Sequence, residues 1–153
     1  MTRNFSPAIP IWFCIVWAWS ACALSLAQAG DLKFEAQLVW GTDDSKPPEG
    51  KTYKPVEPQI GERLKKLLKW KNYFEVRRTN IVVAPMTVKK AIISDKSQVD
   101  IKDLGNQNVE VVFFGKGKEV ARQKQALPKG EMIVLGGNAP NATAWMVTLK
   151  RVE

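Results

Sequence analysis

From Leu32 the chain alternates: Leu32, Phe34, Ala36 and Leu38 are apolar, while Lys33, Glu35 and Gln37 are polar. A period of two puts every apolar member on one face of an extended chain, so LKFEAQLVWGT predicts a half-buried strand. In NYFEVRR the same rule places Tyr73, Glu75 and Arg77 on one face and Phe74, Val76 and Arg78 on the other, and Ile81 with Val83 carries the pattern up to Pro85. The stretches TVKKAIIS, QVDIKDL, VEVVFF, EVARQKQAL, EMIVL and TAWMVTLKRV also read as strands, separated by the turn-forming SDKS, GNQN, GKGK, PKG and GGNAPNA. Short strands divided by Gly, Asn and Pro at regular spacing predict an all-β fold, an antiparallel sandwich or small barrel of about eight strands.

One segment breaks the period of two. In PQIGERLKKLLKW, residues Ile60, Leu64, Leu67 and Leu68 recur at i, i+4, i+7 and i+8. That spacing makes one apolar stripe on a short amphipathic helix, with Glu62, Lys65, Lys66 and Lys69 on the opposite side. Pro58 and Gly61 place its start near residues 57–60, and Leu64 and Leu67 are expected to face the sheet. Between the first strand and this helix, residues 43–58 hold four prolines and no period, which predicts a loop crossing the surface in extended form.

The N-terminus changes the inventory. MTRNFSPAIP is followed by the uncharged IWFCIVWAWSACALSL and then by Ala27-Gln28-Ala29. A positive start, an apolar run and an A-x-A site are the three parts of a secretory signal, so residues 1–29 are expected to be removed and 30–153 to form a single domain. A retained anchor is the alternative, because the uncharged run is just long enough to cross a bilayer. Lipidation at Cys22 is disfavoured by Trp19-Ser20-Ala21, which lacks the usual aliphatic residue three positions before the cysteine. Cleavage removes Cys14 and Cys22, the only cysteines, and the sequence has no His. Thiol nucleophiles, Ser-His-Asp triads and His-rich zinc or iron sites are then closed, and the domain must hold together without a disulfide. No cofactor or metal is expected.

Without Arg3 there are 22 basic residues against 15 acidic ones, a net charge of +7. Such an excess attracts anionic surfaces. Seven cations fall within residues 63–78: Arg63, Lys65, Lys66, Lys69, Lys71, Arg77 and Arg78, with Trp70, Tyr73 and Phe74 among them and only Glu62 and Glu75 in opposition. Lys65, Lys66, Lys69, Lys71, Arg77 and Arg78 are the candidate anion-binding residues, and the ordinary alternative is the solvated face of a surface helix. Acidic glycans, lipid headgroups and acidic proteins are the candidate partners; nucleic acid is not expected outside the cytoplasm.

GGNAPNATAW offers Gly136, Gly137, Asn138 and Asn141 as loop candidates whose backbone amides would meet an anion or a sugar, or would merely supply the positive φ angles of a hairpin. GKGK lacks the spacing of a phosphate loop and reads as a hairpin. Asn141-Ala142-Thr143 fits the glycosylation pattern, which matters only in a eukaryote. Paired carboxylates are the remaining hydrolytic device, with Asp43, Asp44, Asp95, Asp100 and Asp103 available, and a glycan hydrolase would need two of them across one cleft. Ser94 or Ser97 with Lys96 resembles a Ser-Lys dyad, yet S-x-x-K is absent.

The blocks LVWGTDDSKP, LKWKNYFEV and LPKGEMIVLGGNAPNATAW, following a signal peptide, resemble a group of short exported bacterial proteins of unassigned function. The resemblance implies a bacterial, periplasmic or extracellular single domain and brings no site residues. The expected function is non-catalytic binding or scaffolding in the cell envelope; a glycan hydrolase or a structural subunit of an exported assembly are the alternatives.

Overall fold

The computed structural model describes residues 30–139 and 141–153; the segment 1–29, with its expected signal and both cysteines, lies outside the described residues. Nine strands and one helix follow in the order β1 (Leu32–Thr42), β2 (Lys54–Pro55), α1 (Pro58–Leu67), β3 (Asn72–Val83), β4 (Val88–Ser94), β5 (Ser97–Gly105), β6 (Asn108–Gly115), β7 (Lys118–Ala126), β8 (Met132–Asn138) and β9 (Ala144–Arg151). They form two antiparallel sheets, ordered β2-β3-β1-β9-β8 and β4-β5-β6-β7. The expected all-β sandwich with one short helix is the observed fold.

The alternation in β1 does what the sequence pattern requires. Phe34, Ala36 and Leu38 join Ile81, Val83, Val147 and Leu149 on the inner face of the first sheet, against Ile93, Val99, Ile101, Val111 and Phe113 of the second. Each fully buried side chain of this size contributes about 1.5–3 kcal/mol by leaving water. The second sheet is a plain meander. Its β5–β6 and β6–β7 connections have two central residues each at positive φ, Asn106 and Gln107 (50° and 64°), then Lys116 and Gly117 (51° and 75°). Those angles give the turn twist that matches two flanking strands, so GKGK is the hairpin expected.

At the sandwich flanks β3 lies beside β4 and β7 beside β8, yet neither pair is hydrogen-bonded as a ladder. The fold is therefore close to a barrel with two unzipped seams. One end of the sandwich is filled by aromatic rings: Trp40 lies 5.8 Å from Phe74 and 6.3 Å from Tyr53, which is 6.5 Å from Trp145. Tyr53 comes from the Pro-rich loop, which is pinned where it leaves β1. Asp43 Oδ1 accepts the Lys71 N–H at 3.2 Å, and the Asn72 side chain donates to the Asp44 carbonyl at 2.9 Å.

α1 lies outside the sandwich, on the outer face of the first sheet. Ile60 and Leu64 pack with Trp70 against Val39, Tyr73, Met132, Ala144 and Met146. The expectation for Leu67 fails: it is 60 % exposed. The helix ends at Leu67, and Leu68 turns into extended backbone at φ −134°, so the 3.6-residue period no longer aims the side chains there. Trp70 takes over the contact with the sheet and donates its indole N–H to the Ala142 carbonyl at 3.1 Å. β3 holds a second departure. Its register steps from Leu38↔Arg77 to Val39↔Glu75, which leaves Val76 as an extra residue in a β-bulge. Strict alternation puts Glu75 and Arg78 on opposite faces; the bulge brings them onto one face, where they form an ion pair at 2.7 Å.

Candidate functional site

The cations of residues 63–78 divide according to what the fold places beside them. Arg78 is held by three carboxylates, Glu57 at 2.6 Å, Glu75 at 2.7 Å and Glu35 at 3.2 Å. Its hydrogen bonds to Glu75 and Glu57 raise its pKa further above the usual arginine value, and its charge is already satisfied within the fold. It is a structural hub, and among the anion-binding candidates it is the one whose charge is shared with three carboxylates. Lys65 meets Glu62 at 3.3 Å, one helical turn away. Lys69 lies over the Trp70 ring, 5.1 Å from its centroid. Lys66, Lys71 and Arg77 are exposed, and among the described residues none forms an ion pair. Lys65 and Lys66 sit in the last turn of α1, where the helix dipole favours positive charge.

Arg63 has a different task. One of its terminal nitrogens donates to the Met132 carbonyl at 2.9 Å and lies 3.7 Å from Glu131. It ties the helix to the start of β8 and stands at the wall of an open groove of about 530 Å3. Leu67, Leu68 and Trp70 line one side of this groove, β8 from Met132 to Asn138 forms its floor, and Gln123 and Gln125 of β7 line the other side. The exposed Leu67 therefore has a place, beside the groove rather than under the helix.

Gly136, Gly137 and Asn138 belong to β8 and not to a loop, which corrects that expectation. Neither glycine has a positive φ; the left-handed residue of this hairpin is Ala142, at 55°. The glycines make room instead. A Cβ on Gly136 would come within 2.7 Å of the Met146 Cβ, and one on Gly137 within 2.6 Å of Val120 in β7. The turn that follows is closed by the Ala139 N–H donating to the Thr143 carbonyl at 2.9 Å and the Thr143 hydroxyl donating to Asn141 Oδ1 at 2.7 Å. Asn141 is thus engaged within the turn, whereas the N–H groups of Gly136 and Asn138 that point away from β9 have no backbone partner among the described residues.

The acids have local work as well. Asp103 is buried and accepts the backbone N–H groups of Met86 at 2.8 Å and Gly105 at 2.9 Å. Asp100 accepts the Gln98 amide at 2.6 Å, and Thr42 accepts the Asp44 N–H at 3.1 Å. Asp95 lies in the β4–β5 turn and Asp103 near the far end of β5, so strand rise alone separates them by roughly 20 Å or more, well beyond the spacing of two glycosidase acids. Ser94 Oγ accepts the Lys96 N–H at 3.3 Å, a turn bond. Among the described residues no three of His, Cys, Asp and Glu gather as metal ligands, and no helix is long and apolar enough to cross a membrane. A second hollow, about 490 Å3, opens between Trp40, the loop residues Asp44, Lys46 and Pro48, and Thr143.

The groove beside β8 is the feature sequence reasoning missed. The two glycines that the pattern assigns to a turn after EMIVL in fact lie within β8, where glycine marks close backbone approach. Comparison with known proteins adds no relative: no family model, no curated protein and no solved structure matches the chain.

Proposed function

We propose that the domain is a non-catalytic binding module of the exported compartment, and that it engages an anionic partner at the groove beside α1. The observation that supports this is the distribution of charge. Five cations, Lys33, Arg63, Lys65, Arg78 and Arg122, take eight carboxylates in ion pairs. Outside these pairs, residues 30–153 set 17 basic residues against 7 acidic ones, so the positive excess lies on the other basic side chains. Lys66 follows Arg63 by three residues and so shares its side of the helix, while Lys69 and Lys71 flank Trp70. Arg63 and Trp70 both line the groove. Arg63 is the charged residue that lines the groove, and Lys66, Lys69 and Lys71 stand next to lining residues in sequence with no carboxylate in bridging distance, among the described residues; an anionic partner with an apolar part matches this mixture.

The test is retention on immobilised polyglutamate with elution by salt. Reversal of Lys66, Lys69 and Lys71 to Glu is expected to move elution to much lower salt. Reversal of Lys89, Lys90 and Lys102, which lie on β4 and β5 away from the groove, is expected to move it only modestly. Equal shifts from the two triple variants would show that net charge alone governs binding.

A further inference from the structure

β8 is an edge strand, paired on one side only, with β9. In an antiparallel ladder consecutive residues direct their backbone groups to opposite sides. The Arg151 N–H donates to the Glu131 carbonyl at 3.0 Å, and the Ala139 N–H to the Thr143 carbonyl at 2.9 Å, so odd-numbered residues of this segment bond toward β9. The even-numbered residues then point away. Met132 confirms the parity, because its carbonyl is the one capped by Arg63. Beyond that cap, the N–H and C=O groups of Val134, Gly136 and Asn138 have no backbone partner among the described residues. All three residues lie in the groove of about 530 Å3.

We propose that this free edge of β8 binds an extended acidic segment of a partner protein, which adds to the first sheet as a further antiparallel strand. The proposal rests on the anionic-partner reading above and names the partner's chemistry. Three occupants compete for the groove, and physical terms choose among them. An acyl chain would cover the polar edge groups without bonding them, which costs free energy for each group left unpaired. A second copy of this chain brings the same positive charge to a border already cationic. A peptide strand bonds the edge and, if acidic, meets Lys66, Lys69 and Lys71 with the opposite sign.

Geometry also sets the partner's pattern. Val134 packs with the cluster under α1, so the even-numbered residues of β8 face the α1 side. Residues directly opposite them in an added strand would bond to β8 and share that face. The bonding residues of the partner are therefore the apolar ones, set against Leu67 and Trp70, and the intervening residues are polar, toward Gln123 and Gln125.

The experiment uses the domain from Gly30 and a blocked ten-residue peptide of alternating valine and threonine with glutamate at both ends. In 15N-resolved NMR, saturating peptide is expected to shift the Val134, Gly136 and Asn138 amides and slow their hydrogen exchange at least tenfold. N-methylation of the valines is expected to abolish binding, and N-methylation of the threonines to change affinity by no more than about threefold. Leu67→Asp is expected to weaken binding tenfold or more without loss of dispersion in the spectrum. Equal binding of the two methylated peptides, or no slowing of the three amides at millimolar peptide, overturns the proposal. So does concentration-dependent dimerisation that protects the same amides without peptide, or their perturbation by anionic vesicles without protection. Retention on polyglutamate with failure of the peptide would leave the anionic-partner reading standing and remove only the added strand.

Discussion

Leu64 and Leu67 occupy consecutive turns of the same helix and separate two roles that a helical wheel gives to one stripe. Leu64 is fully buried beneath α1, in contact with the Val39, Tyr73 and Met146 cluster. Leu67 is 60 % exposed. Truncating a buried leucine to alanine removes its transfer free energy and leaves a cavity, together about 2–5 kcal/mol. For Leu67 at most about two fifths of a transfer term of 1.5–3 kcal/mol is at stake, so Leu67→Ala is expected to cost roughly 1 kcal/mol or less. Urea unfolding of the domain from Gly30, followed by tryptophan fluorescence, gives both values. A domain of this size has on the order of 5–15 kcal/mol in total, so Leu64→Ala removes a large share of it. The reasoning is refuted if the two variants lose equal stability, because the helix would then be either detached or buried along its whole stripe. In the added-strand test the order reverses: Leu67 variants lose binding while keeping the fold.

Three further outcomes follow from single contacts. Arg78→Gln leaves Glu35, Glu57 and Glu75 facing one another, and is expected to destabilise by roughly 1–2 kcal/mol, partly recovered in 1 M NaCl as the repulsion is screened; an effect unchanged by salt would contradict the hub. Burial holds the Tyr73 phenol above its ordinary pKa, so it keeps its proton longer folded than unfolded; that contribution is intact below about pH 10 and is lost as pH rises through the folded value. Chemical unfolding in alkaline buffers should show this decline in the parent and less of it in Tyr73→Phe. Gly136→Ala forces a Cβ to within 2.7 Å of the Met146 Cβ and is expected to cost about 1–3 kcal/mol by thermal melting; a neutral result would show that β9 yields freely there.

The strands were legible because one buried face imposes a period of two wherever it acts, as in residues 32–38 and 109–113. Three features were not. The bulge at Val76 carries no residue of special conformation, so alternation put Arg78 on the wrong face and concealed its three glutamates, two of which lie 21 and 43 residues upstream. The helix stop lacked Gly and Pro: KKLLKW continues the helical pattern, and only the docking of Trp70 ends it. The groove depends on β8 being an edge, and edge status is a property of strand order that no local pattern encodes. The candidate cations were visible as composition; which of them remained unpaired was decided by tertiary contacts.

β9, the most C-terminal strand of the two sheets, lies inside the first sheet, hydrogen-bonded to β1 on one side and β8 on the other, and it pairs Arg151 with Phe34 across more than a hundred residues of chain. β4 to β7, by contrast, each pair only with a sequence neighbour. Local pairing is fast and distant pairing is slow, so a chain emerging N-terminus first can build the meander while the first sheet waits for β8 and β9. Until they arrive, Phe34 and Leu38 have half a sheet around them and β1 offers an open edge, the state in which aggregation competes best with folding. Loss of β9 would thus do more harm than trimming a tail: it would take an inner plank out of one wall and leave β8 with no neighbour.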